Sequence, residues 1–259
     1  MTQTEKQKMM LTAPVEGLIC RMAVPTIISM LITALYNMAD TYFVGKLGSN
    51  AATGAVGVAL PLMAIIQATG FFFGHGSGNS ISRHLGAGDV EDAETLAVCG
   101  FAGAIGAGLI ICVLGQLFLE PLSLLLGSTA TILPYAKEYM RYILFAAPYM
   151  TAALVLNNQL RLQGNANFAM IGITSGAVLN VALDPLFIFT FDMGVAGAAA
   201  ATALSQLVSF VILLWALRRA GCVPLRFRYV RCMPSVMGQI FGGGLPSLVR
   251  QGLGSLSVM

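Results

Sequence analysis

Charge is scarce in this chain. Of 259 residues only 10% are Asp, Glu, Lys or Arg, and 57% are hydrophobic, whereas an ordinary soluble domain carries about 25% charge. A soluble fold of this length has to cover its surface with polar groups, so the solvent left for this composition is lipid. Histidine is limited to His75 and His84, which lack metal-ligand spacing and read as ordinary interfacial residues. The five cysteines (Cys20, Cys99, Cys112, Cys222, Cys232) are odd in number and contain no CxxC pair. A disulfide framework or a zinc site is therefore not indicated. A net charge of +3 is too small for a nucleic-acid surface. The polar start, Met1 to Lys8, is followed by an apolar run without a small-residue cleavage site, so that run is expected to stay as an anchor.

What the chain has is long apolar runs. Six stretches suit membrane spans: Leu18 to Val44, Gly54 to Ser77, Ala93 to Leu119, Tyr139 to Leu160, Phe168 to Phe191 and Gly194 to Leu217. Nothing alternates with the period of a β-barrel strand. The expected class is an all-α membrane protein. Ten basic residues (Lys6, Lys8, Arg21, Arg83, Arg161, Arg218, Arg219, Arg226, Arg228, Arg231) fall on one side and three (Lys46, Lys137, Arg141) on the other. This places the N-terminus in the cytoplasm. The weak point is the second loop, where Asp89, Glu91, Asp92 and Glu94 outnumber Arg83.

After a polar stretch, Arg218 to Arg231, a seventh apolar run opens at Met233. Gly-Gly-Leu-Pro-Ser at 243 to 247 echoes Met-Ala-Val-Pro-Thr at 22 to 26, with Pro25 and Pro246 221 residues apart. Six spans between them put both runs on the same side, the parallel repeat of transporters built from two six-helix halves. The expected organisation is a first lobe over 1–217, a basic cytoplasmic linker over 218–232 and the start of a second lobe over 233–259, with the rest truncated. A seven-helix protein is the alternative. Arg250, inside the seventh run, is not explained by half a bundle.

Ionisable residues at bilayer depth are functional candidates by default. Counting from span midpoints at 1.5 Å per residue puts Asp40 about 13 Å and Asp184 about 6 Å toward the outer face. Asn180 lies one turn before Asp184, and Thr202 on the sixth span lies at a similar depth. Tyr36 and Asn37 share the face of Asp40. Such oxygens can hold Na⁺ or serve a proton-carrying carboxyl. The plainer readings are an interfacial cap for Asp40, a turn or kink at Asp184-Pro185 and a loop for Asp192. Gly70, Gly74 and Gly78, and Gly172 and Gly176, form GxxxG steps that allow close helix approach. Some of the 14 Met and 14 Phe would suit a cavity for greasy cations.

The run from Pro25 through Leu35-Tyr36-Asn37-Met38-Ala39-Asp40 to Gly48 resembles the first-helix signature of multidrug and toxic compound extrusion (MATE) transporters. Asn180-Val181-Ala182-Leu183-Asp184-Pro185-Leu186-Phe187-Ile188 and Gly194 to Thr202 continue the likeness. The resemblance implies twelve helices in two lobes, of which this chain would be the first lobe and the seventh helix. It implies export of organic cations and other toxic compounds driven by inward Na⁺ or H⁺, in a bacterial or archaeal plasma (inner) membrane, by a protein that is monomeric at full length and uses no other cofactor. It places the coupling ion on Asp40, Asn180, Asp184 and Thr202, with Tyr36, Asn37, Tyr139 and Asn157 at the substrate cavity. Pro25 becomes the point where the first helix bends. Without the second lobe, transport is not expected.

Two rivals remain. A lipid-linked oligosaccharide flippase of the same superfamily would need a more cationic central cavity than these spans supply. An intramembrane aspartyl protease would pair two acids but expects Gly-x-Gly-Asp, and neither Met38-Ala39-Asp40 nor Ala182-Leu183-Asp184 has it. A non-enzymatic antiporter is the reading carried forward.

Overall fold

The structure is a computed structural model that describes residues 15–225 and 234–256. Lys6, Lys8, Arg226, Arg228, Arg231 and Cys232 lie outside these residues. Within them the chain forms α1 (Val15–Gly45), α2 (Asn50–Ala87), α3 (Val90–Leu117), the short α4 (Leu119–Leu125), α5 (Leu133–Leu162), α6 (Ala166–Pro185), a π turn (Leu186–Thr190), α7 (Gly194–Arg219) and α8 (Pro234–Leu256). Helix is the form that satisfies every backbone N–H and C=O within one segment in lipid. Six of these helices are long and apolar enough to cross a membrane: α1, α2, α3, α5, α6 with its π turn, and α7.

α2 is longer than the apolar run that announces it. It has 38 residues, about 57 Å of helix, because Asn79 to Ala87 stay helical after hydropathy falls. Its start is capped by the Ser49 hydroxyl, which accepts from Ala52 N at 3.3 Å. Its end is closed by Gly88 at φ +85°, a left-handed turn natural to glycine. The acids of the second loop have a local use. Glu91 and Asp92 occupy the first turn of α3, where the helix dipole favours negative charge.

The glycine steps set the packing. A Cβ at Gly70, Gly74 or Gly78 would meet Leu154, Asn158 or Leu162 of α5 respectively, so the row on α2 receives a row of side chains on α5. The Ser82 hydroxyl donates to the Leu162 carbonyl at 2.6 Å, fixing the end of α5 against α2. On another side of α2, Gly76 touches the backbone of Ile240 and Gly244 in α8, and Gly244 touches the Phe72 carbonyl. α8, the seventh run, thus seats on α2 through main-chain contact, with Phe72 and Phe241 edge-to-face beside it at 5.0 Å. α1 is held mainly by α6, and Ile27, Met30, Leu31, Leu35 and Met38 on it are exposed.

Candidate functional site

The polar residues of α6 come into place through the small residues that precede them. A Cβ at Gly172 would meet Leu213, and one at Gly176 would meet Ser209 at 2.8 Å and the Ser205 carbonyl at 3.1 Å. The Ser209 hydroxyl donates to the Gly172 carbonyl at 2.8 Å. α6 and α7 therefore run antiparallel at close range, and the next turns bring Asn180 and Asp184 up to Thr202. The Asn180 amide nitrogen donates to Asp184 Oδ1 at 3.3 Å and to Thr202 Oγ1 at 3.2 Å. All three are buried; Asp184 is 0% exposed.

Pro185 is the last residue of α6, and the chain stays helical beyond it. Proline lacks an N–H for the ladder, and the helix passes into a π turn in which Phe191 N donates to the Leu186 carbonyl at 3.0 Å. Gly197 of α7 lies against the backbone of Phe187 and Ile188 in this turn. Asp184 thus accepts from Asn180 one turn earlier and is followed two residues later by a π turn packed on α7. Asp192 lies in the following loop at φ 52°.

α1 supplies the other acid. Asp40 is half-buried, and its Oδ1 is a buried oxygen with no hydrogen-bond partner; so are Asn180 Oδ1 and Asp184 Oδ2. Asp40 lies within electrostatic reach of Asp184 and of Tyr36, and Tyr139 of α5 is within reach of all three. Tyr139 is fully buried in the core cluster of this half of the bundle, with Met140, Ile143 and Ile188. Buried acceptors left without donors are costly in an apolar medium. Three such oxygens and the Thr202 hydroxyl form a set of hard donors, the chemistry that suits Na⁺ or a shared proton and not a soft metal.

Asn37 is exposed on α1. Asn157 is buried near the opposite end of α5, about 27 Å of helix from Tyr139, and its amide donates to the Ala169 carbonyl at 3.0 Å, a tie between α5 and the start of α6. Asn157 is thus separated from the acidic cluster along α5. Pro25 is buried within α1, which stays helical through it; the Ser29 hydroxyl donates to the Pro25 carbonyl at 2.8 Å. Sequence reading missed Tyr149, whose hydroxyl donates to the Ala203 carbonyl at 2.9 Å and so braces the α7 backbone next to Thr202. No periodic signal marked it among the aromatics of α5. At the cytoplasmic end, His84, Asp89 and Asp92 bring their side-chain ligand atoms within 4.8 Å of one another, but on the surface.

The comparisons with known proteins agree with this architecture. Multidrug export protein MepA of Staphylococcus saprophyticus is 31% identical over 228 residues, 88% of this chain and 51% of the relative. A MOP superfamily transporter structure from Pyrococcus furiosus, described as having a binding pocket of reverse polarity that suggests a different function, superposes with a TM-score of 0.87 at 31% identity. That match covers 96% of this chain and 56% of that one. A crystal structure of MATE in complex with MaD3S gives a TM-score of 0.89 at 31% identity, with the same coverage. The chain spans about half the length of the relatives it matches. The MatE family model matches residues 25–186, which carry the first-helix acid and the Asn180–Asp184 pair, and the chain belongs to the MatE family.

Proposed function

We propose that this chain forms the ion-coupling part of a multidrug efflux antiporter that exports organic cations in exchange for Na⁺ or H⁺. One observation carries the reading: Asn180, Asp184 and Thr202 are buried and joined by hydrogen bonds, while an oxygen on each of Asn180, Asp184 and Asp40 is left without a partner. A cation or proton arriving from the outer side supplies what these oxygens lack. Because Asp40 comes from α1 and the other two from α6, the bound ion draws the two helices together. A ligand shifts a conformational equilibrium only by its preference for one state, and this bridging is such a preference. Organic cations would be repelled from the same half when the ion is bound. An acidic interior of this kind favours the drug antiporter over a flippase for anionic lipid-linked sugars.

The test is efflux of a fluorescent organic cation from vesicles with a Na⁺ or an H⁺ gradient imposed separately. The chain is expressed alone and joined after residue 259 to the remaining part of a MepA relative. Efflux in the joined protein, driven by one gradient and abolished by Asp184→Asn at equal expression, is the expected result. Undiminished gradient-driven efflux by Asp184→Asn would overturn the assignment.

A further inference from the structure

Where α2 ends and α3 begins, three side chains far from the buried acids are brought onto one point. Gly88 at φ +85° closes α2, and the turn is fastened by Gly88 N donating to the Leu85 carbonyl at 3.2 Å and Asp89 N to the His84 carbonyl at 2.8 Å. Asp89 is thereby folded back over His84, and Asp92 follows in the first turn of α3. His84 Nδ1 lies 3.5 Å from Asp89 Oδ2 and 3.9 Å from Asp92 Oδ2, and the ligand atoms of all three lie within 4.8 Å of one another. We propose that His84, Asp89 and Asp92 form a binding site for a divalent transition-metal ion of the Zn²⁺ type at the cytoplasmic face, with the imidazole set by Gln239 of α8.

The spacings are those of ligands and not of hydrogen bonds. An N–H···O bond spans about 2.7–3.2 Å, shorter than either contact of His84 Nδ1. Ligands about 2.0–2.2 Å from a tetrahedral Zn²⁺ lie about 3.3–3.6 Å apart, so small rotations of surface side chains close the set. The imidazole is oriented from outside the set: its Nε2 lies 3.2 Å from Gln239 Oε1. An amide oxygen only accepts, so Nε2 carries the proton and the neutral ring turns a bare Nδ1 lone pair toward the two carboxylates. A metal-bound histidine is commonly held by such an outer hydrogen bond. Asp89 is turned the same way. It is the N-cap residue of α3, where an aspartate ordinarily accepts from a backbone N–H of the first turn, yet its carboxylate makes no capping hydrogen bond. Among the described residues neither aspartate has a Lys or Arg within ion-pair distance.

Three electron-pair donors facing one another repel unless a cation stands between them. One imidazole nitrogen with two carboxylates suits Zn²⁺, Mn²⁺ or Co²⁺, whereas Mg²⁺ and Ca²⁺ prefer oxygen alone and Cu⁺ prefers sulfur. Asp89 and Asp92 are exposed, which leaves the remaining coordination positions to water and gives the ion direct entry. Gln239 is followed by Ile240, whose carbonyl rests on Gly76 of α2, so the bound ion also steadies the start of α8 against the α2–α3 turn. Sequence spacing hides the set, because positions i, i+5 and i+8 share no helix face; the left-handed turn at Gly88 makes them neighbours. A protonated His84 paired with its carboxylates is the rival that needs no metal.

The experiment uses the full chain, without a polyhistidine tag, in nanodiscs after treatment with a chelator. Co²⁺ is titrated in and read by its visible d–d absorption, with Zn²⁺ and excess Mg²⁺ as competitors. One Co²⁺ per chain, displaced by Zn²⁺ and not by Mg²⁺, is the expected result. His84→Ala, Asp89→Asn and Asp92→Asn should each abolish the absorption at the Co²⁺ concentration that saturates the parent. Gln239→Leu leaves every ligand in place and should weaken binding by about 10- to 100-fold. Glu91→Gln, an acid of the same turn outside the set, should leave binding unchanged. No Co²⁺ absorption in the parent overturns the proposal and assigns the cluster to a protonated His84. Binding that survives His84→Ala overturns it as well, and so does a loss in Glu91→Gln as large as in Asp89→Asn, which marks diffuse attraction to acidic surface. The parent titration stands even if a variant fails to fold.

Discussion

Gly197→Ala is the sharpest probe of how the acidic site is held. A Cβ on Gly197 would lie 2.7 Å from the carbonyl carbon and oxygen of Phe187 and 3.0 Å from Ile188 N. Reaching an ordinary contact distance of about 3.5 Å requires a movement of about 0.8 Å. The obstacle is main chain, so no rotamer change relieves it. Either α7 backs away or the π turn is displaced, and the π turn begins one residue after Pro185, next to Asp184. Overpacking of this kind costs about 1–3 kcal/mol. Alanine also gains about 1 kcal/mol over glycine in a helix, and Gly57→Ala on α2, where a Cβ meets nothing within 4 Å, supplies that gain alone. The difference between the two variants therefore isolates the clash. At about 2–4 °C per kcal/mol for a chain of this size, Gly197→Ala should melt roughly 2–12 °C below Gly57→Ala. The assay is thermal unfolding of the purified chain in nanodiscs, followed by circular dichroism. Any stabilisation that Na⁺ gives the parent should shrink in Gly197→Ala and persist in Gly57→Ala. Coincident melting of the two variants would refute the claim that the π turn is pinned by α7.

Asn180→Leu removes the donor shared by Asp184 and Thr202 and should destabilise by about 1–3 kcal/mol, with loss of Na⁺-dependent protection in the same melt; an unchanged midpoint would count against the network. Gln159, 0% exposed, donates to the Ser77 hydroxyl and the Ala97 carbonyl at 3.1 Å each, joining α2, α3 and α5. Gln159→Leu should cost about 1–3 kcal/mol in chemical denaturation, with ion binding unaffected because the residue is far from Asp184. Glu120 on α4 accepts from Lys137 at 2.8 Å, and this hydrogen bond and charge hold its carboxyl below the usual Glu range. Its small contribution is fully present above the ordinary Glu value and lost as pH falls through the lowered one. Glu120→Gln should remove that acid-side slope from the melting profile, and the difference should fade in high salt.

The spans were legible because lipid leaves a helix no other way to satisfy its backbone, so apolar length alone marks it. The ends were less so. Asn79 to Ala87 continue α2 past the apolar run that marks it, where hydropathy says nothing about helicity, and α4 is too short to announce itself. Asn180, Asp184 and Thr202 could be paired by depth because both helices cross the same slab. Asn157, which the family resemblance places at the substrate cavity, lies about 27 Å along α5 from Tyr139. The π turn after Pro185 was not readable: whether the chain widens there depends on what packs against the next turn, here the bare face of Gly197.

The loose seating of α1 has a consequence in exchange kinetics. Its apolar face looks outward and its main support is α6, so its amides should open at lower free energy than those of α2 or α5. Asp40 rides on this weakly held element, while Asp184 is fixed in the core. Any ligand that bridges the two carboxylates ties α1 down by the free energy of its own binding. Deuterium uptake along residues 25–44 then becomes a direct meter of site occupancy, without the need to see the ion or follow the drug.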